Sequence, residues 1–451
     1  MKRTVFFMVI FIAVVIKSWA QENYHTTALE NGLKILIIED HSLPLVHIEM
    51  AFKSGGFVET SETDGLSHLY EHMIFNATEG YPTAKAFNDE ILKYGILTNA
   101  GTDQELVDYF FTLPSINFIR GMELFAQGIL HPFFLEEEFE NEKKIVNNEF
   151  QRYESDPLFL LDRKTDHKLW GRHFSRKNVI GDHEVILSAQ KEQLQALKTR
   201  YYHPNNALLI IAGDIKKESA MAVARENFQD WQTSTTDPHQ SYAIPKFEAM
   251  EQPEHFAMLD ENTEAPIVLY SWQGPDTQND LTGLFAAEVL CQMLNLKNSS
   301  MHQKLVETNL VYEFEARVTF SRYTSSLYIE AYPNEKKLAE AVRAIDEEIN
   351  RWSVTDYFTH DQIKAAIKRI QITEAYSQEE LSEYIHELSY RWSAGDLLTP
   401  TEYLRGISKV TLSDINALIS HYIINQNKSV GLISAPQLRK QIKKIGWKIE
   451  N

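Results

Sequence analysis

The 451-residue chain reads the same pattern twice, and this repetition constrains its fold more than any other feature. FAMLDENTEAPIVLYSWQG, from Phe256, repeats the pattern of ILIIEDHSLPLVHIEMAFKSGG, from Ile35. The helix-like LTGLFAAEVLCQML from Leu281 stands where the helix-like GLSHLYEHMIF stands from Gly65. SSLYIEAYP from Ser325 parallels DYFFTLPS from Asp108, and ISHYIINQNKSVGLIS from Ile419 parallels TRYYHPNNALLIIAGD from Thr199. A repeat of about 210 residues is far longer than a solenoid unit, so it implies two duplicated α+β domains. The polar, proline-punctuated stretch Gln232 to Glu254 reads as the connection between them. The expected organisation is an N-terminal domain over 21–231, a linker over 232–254 and a C-terminal domain over 255–451.

The two copies differ in chemistry. In the first, His68, Glu71 and His72 stand at i, i+3 and i+4, which places a carboxylate and two imidazoles on one helical face. Leu66, Leu69, Tyr70, Met73 and Ile74 form an apolar stripe on the other, so one side of the helix must be buried. Asp64 is the expected N-cap, and Gly65 permits close approach of other backbone. Two histidines at this spacing suit zinc, but a hydrolytic site needs a third protein ligand. The Leu281 helix of the second copy carries no histidine, so one metal site per chain is expected.

A long charged helix is expected from Glu136 to Glu154, with Phe139, Glu142, Val146, Glu149, Phe150 and Tyr153 along one face. Glu142 and Glu149 lie inside that apolar stripe. Burying an unpaired carboxylate costs several kcal/mol, so both glutamates call for a positive partner. A zinc ion on His68 and His72 would provide one.

Residues 1–20 read as an export signal: Lys2 and Arg3, an apolar run from Val5 to Ile16, then Ser18-Trp19-Ala20 before Gln21. That run is short for a membrane span, and none is expected once the signal is removed. The single cysteine, Cys291, excludes an internal disulfide, and export without disulfides suits a bacterial periplasm or the exterior. With 44 basic against 63 acidic residues, the charge of −19 disfavours nucleic-acid binding.

HLYEH, followed far downstream by Glu149 in EKKIVNNE, resembles the inverzincins, the pitrilysin, insulysin and mitochondrial processing peptidase family. NAGTDQELVDYFFTLP from Asn99, WGRHFSRKNVIGD from Trp170 and YYHPNNALLIIAGDI from Tyr201 extend the resemblance over nearly the whole mature chain. It implies two domains, each a mostly antiparallel sheet packed with helices, closing as a clam-like chamber. It also implies a zinc metalloendopeptidase with His68, His72 and Glu149 as ligands of one zinc ion. Glu71 would be the general base towards the metal-activated water, and Glu142 an acid needed for activity through an imidazole or the ligand helix. Asn99 and Ala100 match a substrate-binding edge strand that takes a peptide by strand addition.

The chain departs from the family in places. Glu105 and Val107 stand where Asp and Thr are frequent, which is expected to alter local packing. Tyr312 fits a family tyrosine that holds substrate from the second domain, but Leu305 occupies the place of its arginine partner. Lys304 is one substitute. The other is a homodimer, or a heterodimer with a related subunit lacking the zinc motif. A non-catalytic or partner-dependent subunit is therefore the alternative reading.

Overall fold

A computed structural model of the chain describes residues 23–354 and 356–450, so the export-signal reading at 1–20 lies outside the described residues. The first half builds a six-stranded sheet from β1 (Tyr24–Ala28), β2 (Lys34–Glu39), β3 (Leu45–Phe52), β4 (Leu97–Thr102), β5 (Val107–Pro114) and β6 (Ala207–Gly213). Their order is β1-β2-β6-β3-β5-β4, antiparallel except where β2 pairs β6. The second half builds another from β7 (Glu254–Leu259), β8 (Ile267–Gln273), β9 (Val311–Val318), β10 (Ser326–Pro333), β11 (Ser429–Ser434) and β12 (Lys448–Ile449), in the order β12-β7-β11-β8-β10-β9. Strand for strand, β7, β11, β8, β10 and β9 take the places of β2, β6, β3, β5 and β4. The duplicated α+β architecture is thus present in both sheets, with a parallel pair at the same place in each.

Each sheet buries both faces. Residues of β6 alternate between two apolar clusters: Leu209 and Ile211 face the core that includes the Leu66–Met73 helix, and Leu208, Ile210 and Ala212 face the other way. A strand covered on both sides reads as a continuous apolar run, as ALLIIAG does. The cover on the outer face comes from the opposite half. The helix Leu381–Gly395 lays Tyr384, Ile385, Leu388 and Trp392 over Leu36, Ile38, Leu208 and Ile210 of the first sheet. Reciprocally, Leu161 of the helix Pro157–Trp170 packs on Phe256, Leu269, Tyr328 and Ile433 of the second. Gly431 on β11 leaves room for Leu161, whose Cδ1 lies 2.6 Å from where a Cβ would stand. The halves are therefore interlocked through exchanged helices.

Further bonds cross between halves near the interior. The Glu105 carboxylate accepts from the backbone N–H groups of Arg322 (2.6 Å) and Tyr323 (3.0 Å). Lys177 Nζ donates to the carbonyls of Tyr323 (2.9 Å) and Thr324 (2.8 Å). The Glu105 departure thus reaches beyond local packing and ties the first half to the β9–β10 turn. No helix among the described residues is long and apolar enough to cross a membrane.

Candidate metal centre

The motif helix runs from Leu66 to Met73 and buries Leu66, Leu69, Tyr70 and Met73 in the core of the first half. Its N-terminus is not capped by Asp64. Gly65 takes the cap position at φ 96°, and the carboxylate of Glu59 accepts from the N–H groups of Gly65 (2.7 Å) and Ser67 (2.6 Å). Asp64 instead accepts from Asn178 Nδ2 at 2.9 Å. The reason is steric: the turn brings Gly65 against Gly181, where an added Cβ would meet Gly181 Cα at 2.6 Å. That contact turns Asp64 towards Asn178 and leaves the first turn's donors to a carboxylate six residues upstream.

The second element is the helix Glu136–Tyr153, held by groups on both sides. Buried Lys143 donates to the carbonyls of Leu187 and Ala189, each at 3.3 Å. His183 stacks on Phe150 with ring centroids 3.9 Å apart and bonds Asn147 (2.7 Å) and Glu154 (3.1 Å). This fixes the face carrying Glu142 and Glu149, both partly buried and turned towards the motif helix.

Three donor atoms meet there. The Nε2 atoms of His68 and His72 are 3.3 Å apart, and Glu149 Oε2 lies 3.8 Å from the first and 3.5 Å from the second. Ligands held about 2.0–2.2 Å from a tetrahedral zinc stand roughly 3.3–3.5 Å from one another, so this triangle fits one ion of that kind. Two ring nitrogens and a carboxylate oxygen thus converge on one point, an arrangement that a shared cation satisfies. Burial, followed by the neighbouring His72, brings the His68 pKa down to about 3, which keeps the ring neutral as a metal ligand must be.

The remaining groups support this triangle unequally. His72 Nδ1–H donates to Glu142 Oε2 at 3.2 Å, whereas His68 Nδ1 is buried without a hydrogen-bond partner among the described residues. Burial opposes charge on His72, yet its bond to Glu142 and the charges of Glu71, Glu142 and Glu149 outweigh that and raise its pKa. Glu71 points to the same space, and its Oε2 accepts from Thr102 Oγ1 at 2.7 Å. Burial raises the Glu71 carboxyl pKa, with the Thr102 bond and His72 pulling the other way.

A cavity of about 550 Å³ opens on this cluster, lined by His68, Glu71, His72 and Glu149 and by Asn99, Ala100 and Thr102 of β4. Among the described residues β4 is the edge of its sheet and pairs only β5, with Asn99 opposite Phe110 and Ala100 opposite Tyr109. Tyr312 does not line the cavity. It is exposed on β9, where its hydroxyl donates to Glu335 at 2.6 Å, and Leu305 is fully buried.

Sequence reasoning missed Thr102, Glu59 and the Pro157–Trp170 helix, which supplies Phe159, Asp162 and Asp166 to the cavity wall. Asp156 followed by Pro157 was a legible start signal for that helix, and the Asp156 carboxylate does accept from Leu158 N–H at 2.9 Å.

Comparison with known proteins gives the family and the fold. Residues 34–173 match the family model described as Insulinase (Peptidase family M16), and residues 188–370 match Peptidase M16 inactive domain. An uncharacterized zinc protease of Rickettsia felis is 23% identical over 399 residues, which is 88% of this chain and 94% of that protein. A protease structure from Helicobacter pylori superposes with TM-score 0.79 at 18% identity, over 91% of this chain and 99% of that one. The first half of the periplasmic protease PqqL from Escherichia coli does so with TM-score 0.75 at 18% identity, over 93% of each.

Proposed function

Because the chain belongs to the pitrilysin-like M16 peptidase family, we propose that it is a zinc-dependent endopeptidase hydrolysing peptides or unfolded polypeptides. His68, His72 and Glu149 hold one zinc ion, and Glu71 is the general base. The observation that carries this reading is the triangle of two Nε2 atoms and one carboxylate oxygen with sides of 3.3, 3.5 and 3.8 Å, with Glu71 beside it. When bound, zinc supplies positive charge that polarises the scissile carbonyl and lowers the pKa of the attacking water from about 15.7 towards 7.

The chain's own residues do the rest. Glu71 Oε1 is free to take a proton from the attacking water, because Oε2 is held by Thr102. A carboxyl pKa raised by burial makes Glu71 a better base than an exposed glutamate and lets it pass the proton to the leaving amine nitrogen. Glu142 fixes the tautomer and plane of His72 through its 3.2 Å bond. The free edge of β4 binds substrate by strand addition, with Asn99 and Ala100 presenting main-chain groups beside the metal ligands. Catalysis is assigned to 21–231, and 255–451, joined through 232–254, is the homologous non-catalytic domain, without a second metal site of the same kind.

A second reading is favoured by one observation. Leu305 is fully buried at the place of the family arginine, and Tyr312 is engaged with Glu335. A related subunit, or a second copy, would then supply the substrate clamp. A periplasmic or extracellular location is supported by the single cysteine, the signal-like N-terminus and the periplasmic description of the PqqL relative.

Chelation and reconstitution test the main reading. Cleavage of an internally quenched peptide should disappear after dialysis against a chelator and return when zinc is added. Cleavage that survives complete removal of metal would refute it.

A further inference from the structure

A second group of metal-binding residues lies on the opposite face of the first sheet. Glu49 on β3 and Asp108 on β5 point outward from that sheet, and His386 reaches down from the Leu381–Gly395 helix. One carboxylate oxygen from each acid and one ring nitrogen of His386 lie within 4.8 Å of one another. Both acids are fully buried, while the His386 side chain is 45% exposed.

We propose that Glu49, Asp108 and His386 form a second divalent-cation site, a structural one that pins the second-half helix to the back of the substrate-edge strand. Its three proposed ligands are distinct from the metal ligands and the base of the peptidase reading.

Three observations carry it. Asp108 accepts from His386 Nδ1 at 3.1 Å through one oxygen, but its other oxygen, Oδ1, is buried without a hydrogen-bond partner among the described residues. His386 is therefore the one ion-pair partner of Asp108 among the described residues, and Oδ1 keeps a lone pair that no donor satisfies.

The Glu49 carboxylate is held the way a ligand is held. It lies 3.3 Å from His47 Nε2, whose Nδ1 is 2.9 Å from Thr112 Oγ1, and its other oxygen accepts from Ser389 Oγ. Outer groups of this sort fix the direction of a coordinating carboxylate.

The site is also reachable. A cavity of about 470 Å³, lined by Asn99, Gly101, Phe110, Ser382 and His386, opens beside it and leaves room for water to complete a coordination shell. One imidazole and two carboxylates suit zinc or manganese more than a soft cation such as Cu(I).

Its place in the fold gives the site a role. Asp108 is the partner of Gly101 across the β4–β5 ladder, and Thr102, next along β4, donates to Glu71. A cation here would fix the strand that carries Asn99 to Thr102 from behind and tie it to the other half.

Metal content of the full chain decides the matter. Native protein, His72→Ala, His386→Ala and the double variant would be saturated with zinc, freed of excess by gel filtration and assayed by mass spectrometry. The expected stoichiometries are two, one, one and none. A His72→Ala protein without zinc, together with one zinc in His386→Ala, would overturn the proposal. Far-UV circular dichroism of each variant checks its fold, since His386 is also the ion-pair partner of buried Asp108. Asp108→Asn provides a second measurement, and retention of two ions by that variant would equally overturn the assignment.

Discussion

Glu142 Oε2 lies 3.2 Å from Nδ1 of His72, on the side of the ring away from the Nε2 that meets His68. Replacing Glu142 by Gln keeps the side chain's size but removes its charge and the strength of that bond. Since His68 has no corresponding partner on its own Nδ1, the loss falls on the only imidazole with outer support. Zinc affinity should drop about 10–100-fold, measured by competition with a chromogenic chelator, with no change in the far-UV spectrum.

Gly65 stands at φ 96° against Gly181. Gly65→Ala adds a Cβ with nowhere to go, in a backbone region costly for alanine. Thermal or urea unfolding should show a loss of about 1–3 kcal/mol, and zinc binding should weaken because the first turn of the motif helix moves.

Asp64 should make stability fall as pH rises from about 4 to about 7. Burial pushes its carboxyl up to about 7, against a usual 3.8. Below about pH 4 both folded and unfolded chains hold the proton, so Asp64 costs nothing. Between those values the unfolded chain ionises first, and above 7 the cost is complete. About three pH units of difference is at most about 4 kcal/mol, by about 1.4 kcal/mol per unit. Melting temperatures of native and Asp64→Asn protein, compared from about pH 4 to 8, should converge at the acid end. At the alkaline end Asp64→Asn should be the more stable, its amide oxygen still accepting from Asn178.

The exchanged helices predict that neither half is independent. Leu388 is fully buried, belongs by sequence to the second half, and covers the first sheet. Leu388→Ala should cost about 2–5 kcal/mol and destabilise strands more than 150 residues away, readable by hydrogen exchange in β2 and β6. A fragment ending at residue 231 lacks Tyr384, Ile385, Leu388 and Trp392, and should bind a hydrophobic dye and unfold without cooperativity.

How far the molecule was legible in its sequence follows from where each signal lies along the chain. Periodicity over one or two turns placed the motif helix and the Glu136–Tyr153 helix, because a helix face repeats within the stretch itself. The duplication was legible because both sheets use the same order of apolar strands. Asn99 and Ala100, expected on an edge strand through the resemblance, form part of β4. What stayed hidden depends on chain segments distant in sequence. Glu59 caps the motif helix from outside any local capping pattern, and Thr102 reaches Glu71 across 31 residues. Leu388 and Leu161 each serve the other half's sheet, so their faces look like ordinary amphipathic helices. Tyr312 was a candidate by resemblance alone, and its own strand turns it towards Glu335.

The account rests on a carboxylate at Glu71 taking a proton beside a metal held by three other residues. The direct test compares native chain with Glu71→Gln, measuring zinc content and hydrolysis of a quenched peptide on the same samples. Both should hold zinc, and the variant should cleave about 10²–10⁴-fold more slowly. Zinc-loaded native protein that cleaves no faster than Glu71→Gln would contradict the account.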